Sequence, residues 1–192
     1  MSEPEVWLRG ALPDVAPLLQ PVAHSLLQCR LEVRATVPTL ADSELWATPG
    51  GAASAGYHVR HAIGSLDRLF TYARGEQLSS TQRDALAAEG RAEEHVGIQG
   101  SLVADFDAAV ERALAQLRAT DPATLLEPRE VGRAKLPSTV IGLLFHAAEH
   151  TQRHVGQLVT TSKVVRGAGR SPASCPAPSA QLTRVSVAHS FP

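Results

Sequence analysis

Hydrophobic positions along the chain recur with a helical period in four long stretches. Leu18, Leu19, Val22, Leu26, Leu27 and Leu31 are spaced so as to line one face of a first helix. Pro17 and Pro21 place its firm start between Leu18 and Val22, because proline suits a first turn better than an interior. The helix is expected to fade near Pro38. TPGGAASAG follows as a loop, with Ser54 as the N-cap of a second helix. Val59, Ala62, Ile63, Leu66, Leu69, Phe70 and Ala73 mark that helix, and Gly75 closes it. A short helix is expected over Thr81–Ala88, capped by Ser79 or Ser80. Leu102, Phe106, Ala109, Val110, Ala113 and Leu117 mark a third long helix, ending before Asp121–Pro122. LLEPREVGRAKLP reads as an irregular crossover. Ser138 is expected to cap a last helix with Val140, Ile141, Leu144, Ala147, Ala148, Val155, Leu158 and Val159 as its apolar set. No strand pattern of comparable length appears. The expectation is an all-α four-helix bundle, an architecture in which facing helices can hold a site in the core.

Composition changes this picture little. The chain has 192 residues, 44% apolar, enough to bury a core. Its formal net charge of −1 gives no bulk basic field for nucleic acid or anionic lipid. No run approaches the ~18 apolar residues of a membrane span. The opening MSEPEVWLRG lacks a signal-peptide core. Cys29 and Cys175 make no disulfide framework, so the expected compartment is the cytoplasm.

The end of the chain differs from the rest. Residues 163–192 carry Lys163, Arg166, Arg170 and Arg184 and no acid; of 18 basic and 19 acidic residues in the whole chain, residues 1–162 are left with 14 and 19. With its proline and serine content, this segment reads as a disordered tail, and equally as a frame-shifted or read-through end. The expected division is a domain over residues 1–165 and a tail over 166–192.

The sharpest motif is His146-Ala-Ala-Glu-His150-Thr-Gln-Arg-His154. Spacing of four puts successive histidines on one helical face, about 6 Å apart along the axis. Two such imidazoles can converge on one cation. His146 and His154 are about 12 Å apart by the same rise, so one of the outer pair must lie outside the immediate ligand set. A third ligand has to come from another helix, where His58 and His61, or His24, are available. Glu149 is rotated about 100° from His150 and reads as a surface acid. Arg153, Gln157 and Tyr57 are candidates to orient a ligand.

Ser54-Ala-Gly-Tyr57-His-Val-Arg-His61 and His150-Thr-Gln-Arg-His154-Val-Gly156-Gln157 together resemble the DinB / YfiT-like superfamily of four-helix bundles, over roughly residues 15–165. The resemblance implies an up-down-down-up bundle, often a homodimer, with a divalent metal between helices. Carried over residue by residue, it implies His61, His150 and His154 as ligands. His58, His146 and Gln157 are, by their own positions, candidates to stand around them. The apolar stripe of the second helix instead lies nearer His58 than His61.

Three imidazoles suit Zn, Ni, Fe or Cu better than Mg or Ca, and zinc is the expectation, with Ni or Fe as rivals. Relatives with assigned activity include transferases and isomerases that use a low-molecular-weight thiol. The expected function is therefore metal binding. It extends either to a metal-dependent thiol transferase or isomerase acting on a small thiol or electrophile, or to a non-catalytic metal-binding or stress-response dimer. No nucleophile or phosphate-binding motif is evident apart from the metal.

Overall fold

Ser54 ends an extended segment, and its hydroxyl accepts a hydrogen bond from the Tyr57 backbone N–H, opening a 19-residue helix. The computed structural model describes residues 3–93 and 95–168. In chain order the helices are α1 (Gln20–Thr36), α2 (Asp42–Leu45), α3 (Ala55–Ala73), α4 (Ser80–Ala88), α5 (Ile98–Ala119) and α6 (Val140–Ala168). Two strands, β1 (Pro128–Val131) and β2 (Leu136–Thr139), lie between α5 and α6.

The four long helices form a ring. α3 packs on α6 and α5, and α1 packs on the same two. The most extensive of these contacts joins α3 to α6. Leu26, Val33, Leu66, Phe106, Val110, Leu117, Leu144 and Leu158 are almost wholly enclosed in the single core between them. Burying each such side chain contributes about 1.5–3 kcal/mol, which holds the helices against one another despite few aromatics. The apolar face of α1 is rotated from the one first expected. Leu18 and Leu31 are exposed, whereas Cys29 and Val33 are fully buried.

Two expectations require correction. The segment read as an irregular crossover is an antiparallel hairpin in which Val131 pairs with Leu136 and Pro128 with Thr139. Its four-residue turn places Gly132 and Lys135 at positive φ. Ser138 is consequently a strand residue, and it is Thr139 whose Oγ1 accepts from the Gly142 N–H at 3.1 Å to cap α6. Ser79, rather than Ser80, caps α4, with Gln82 completing a capping box. α6 continues to Ala168, beyond the expected boundary at 165. The rest of the expected tail, with Cys175 and His189, lies outside the described residues. No described helix is long and apolar enough to cross a membrane.

Candidate metal centre

The seam between α3 and α6 is where the histidines meet. On α3, His58 and His61 are one turn apart, four and seven residues beyond the Ser54 cap that fixes where the helix begins. On α6, His150 and His154 stand one turn apart on the face turned to α3. His61 Nε2 lies 3.0 Å from His150 Nε2. The His61 and His154 ring centroids are 4.4 Å apart, and those of His150 and His154 4.6 Å. One ring nitrogen from each of His61, His150 and His154 lies within 4.8 Å of the other two, and all three residues are half-buried.

His58 joins the same group. It is 6% exposed, more buried than His61, as the apolar stripe of α3 implies. Its Nδ1 lies 3.1 Å from His154 Nδ1. Both α3 histidines therefore face α6, with His58 on the back of His154 and His61 between His150 and His154. Tyr57 stacks on His61 with centroids 5.4 Å apart and an interplanar angle of 14°.

The remaining candidates are dispersed. His146 is half exposed beside Glu149, with its ring centroid 5.5 Å from that of His150. Glu149 pairs with Arg153 on the outside of α6, and Gln157 is exposed. His24 contacts the Gly10 carbonyl, and His95 lies in the loop before α5. Cys29 is fully buried against Gln152, and burial pushes its thiol up to about 12. It is not poised as a nucleophile.

The cluster favours neutral imidazoles. Burial first, then the neighbouring His61, His150 and His58, push His154 down to about 4. Burial and then His61 also lower His58 and His150. Neutral imidazole is the form that donates a lone pair to a metal. His150 Nδ1 is buried without a hydrogen-bond partner among the described residues.

One participant escapes the sequence reading. Glu89, at the end of α4, is 6% exposed and reaches His61 Nδ1 at 2.7 Å and Arg68 Nη1 at 2.5 Å. Burial alone would raise its carboxyl, but the hydrogen bonds from His61 and Arg68 outweigh this and hold it below the usual carboxylate range. The only local hint was Arg68 among the core positions of α3.

The family model of the DinB superfamily matches residues 25–158, which span α1 to α6 and all the residues of this cluster. No curated protein matches the chain.

Proposed function

The chain belongs to the DinB superfamily, and we propose that it holds one divalent metal ion on His61, His150 and His154. The observation that carries this reading is the convergence of three half-buried imidazole nitrogens, within 4.8 Å of one another, from two helices. Two ligands each about 2.1 Å from a shared ion stand at most about 4.2 Å apart, so the three rings need to close by only a few tenths of an ångström to share one. The donor set fits the group, because all three residues are imidazoles in a setting where His150 and His154 disfavour the proton. Imidazole suits Zn, Ni, Fe and Cu, and zinc is our assignment, as an ion that commonly takes three protein ligands and leaves a position open.

When bound, such an ion polarises a water or thiol and makes it a nucleophile near neutral pH. The protein's own groups supply orientation. His58 Nδ1 meets His154 Nδ1, which leaves His154 Nε2 for the ion. Tyr57, stacked on His61, walls one side of the cluster. The one described cysteine is buried, so a thiol reactant has to come from solution. This supports a metal-dependent transferase or isomerase that takes a low-molecular-weight thiol and a small electrophile. The same observations support a binding or stress-response role without turnover, and activity decides between them.

We further read the ring of helices as an up-down-down-up bundle that works as a cytoplasmic homodimer. Elemental analysis of freshly purified protein, followed by a screen of small thiols with electrophilic acceptors, tests the assignment. One bound ion with thiol-dependent turnover establishes the enzyme. One bound ion without turnover establishes the binding role, and no bound ion removes both.

A further inference from the structure

Glu89 belongs to none of the four long helices, yet its carboxylate is buried at the back of the histidine cluster. Gly64 makes this reach possible. A Cβ at Gly64 would stand 2.2 Å from Glu89 Oε1 and 2.7 Å from Arg68 Nη1. Gly64 follows His61 by three residues and precedes Arg68 by four, so all three share one face of α3. That face therefore carries a notch filled by a charged group from α4.

The notch has a chemical consequence for His61. A carboxylate only accepts hydrogen bonds. Arg68 occupies Glu89 Oε1, and the contact between Glu89 Oε2 and His61 Nδ1 therefore needs a proton on Nδ1. A neutral His61 then has its lone pair on Nε2, the atom that faces His150. The other two members of the cluster have no such support. Among the described residues, His154 Nδ1 meets only another imidazole, and His150 Nδ1 has no partner.

We propose that Glu89, admitted by Gly64 and clamped by Arg68, is a positioning residue that fixes the tautomer and orientation of His61 for a divalent cation. The inference rests on the metal-binding reading given above. A carboxylate behind a ligating imidazole raises its basicity and holds its ring, and losing such a partner typically costs about 10–100-fold in metal affinity.

Two variants separate positioning from simple folding. Glu89→Gln removes the charge but leaves Arg68 buried without its counterion. Gly64→Ala keeps every polar group, favours the helix, and places a methyl where the Glu89 carboxylate lies. The probe is Zn²⁺ alone, titrated into chelator-treated full-length protein, with circular dichroism of each variant. Long-range ¹H–¹⁵N spectra of the metal-free proteins report the His61 tautomer directly. We expect His61 of the wild-type protein to carry its proton on Nδ1, and Gly64→Ala to lose that preference. We expect both variants to bind Zn²⁺ about 10–100-fold more weakly at unchanged helicity. A proton on Nε2 of wild-type His61, or wild-type affinity in a folded Gly64→Ala, overturns the role of Glu89 and leaves the metal reading standing. A wild-type protein that takes up no Zn²⁺ overturns the metal reading itself, and this inference with it.

Discussion

His61 Nε2 and His150 Nε2 face each other at 3.0 Å across the α3–α6 seam. At that distance one nitrogen donates a proton to the other. Glu89 holds a proton on the far side of His61, so the shared proton belongs to His150. A cation bound to His150 Nε2 has to take the place of that proton, which then moves to Nδ1 of the same neutral ring, the atom buried without a partner among the described residues.

The stability of the metal-free protein is expected to fall steadily as pH drops from about 6.5 to 4. In the unfolded chain a histidine takes up its proton near 6.5. In the folded chain His154 resists until about 4, and His58 and His150 are shifted the same way. Between those values the unfolded state binds protons that the native state refuses, so falling pH favours unfolding. Glu89, lowered in the native state, adds a loss in the same direction at still lower pH. Thermal unfolding of chelator-treated protein across pH 8 to 4 checks this. A midpoint that stays level between pH 7 and 5 contradicts it.

Much of this arrangement is legible in the sequence because it is local. The four apolar stripes, the Ser54 cap and the four-residue spacing of His150 and His154 all follow from short-range periodicity. The hairpin was not legible. Each strand has only four residues, charged residues interrupt the first, and only pairing with the second defines it. The choice between His58 and His61 was ambiguous for a geometric reason, since the seam takes both. Burial favours His58 and the approach to His150 favours His61. Glu89 was invisible because its partner His61 lies 28 residues away and the contact depends on the absence of a side chain at Gly64.

Gly56→Ala is expected to destabilise the fold by about 1–3 kcal/mol through overpacking. A Cβ there would stand 2.5 Å from the Trp46 ring, whose indole lies flat against the first turn of α3. Because that turn carries Tyr57 and His58, the strain falls next to the cluster. Denaturant unfolding gives the stability change, and tryptophan fluorescence reports the displaced ring. A variant as stable as wild type removes the close contact from the account.

The Cys29 thiol is expected to stay inert in the native protein. Burial raises it to about 12, and its Sγ is fully enclosed beside Gln152. In a Cys175→Ser background, a thiol reagent at pH 8 should label nothing until denaturant is added. Labelling of the folded protein within minutes would instead identify Cys29 as an accessible nucleophile.

The central claim is that His61, His150 and His154 share one ion, and metal stoichiometry in two variants tests it most directly. His154→Ala removes a member of the convergent group, whereas His146→Ala alters a half-exposed residue on the same helix. Elemental analysis of the wild-type protein should find one divalent ion per chain. His146→Ala should keep close to that amount and His154→Ala should lose most of it, with helicity preserved in both because the apolar core does not involve the cluster. Full occupancy in His154→Ala, or equal loss in both variants, would contradict the account.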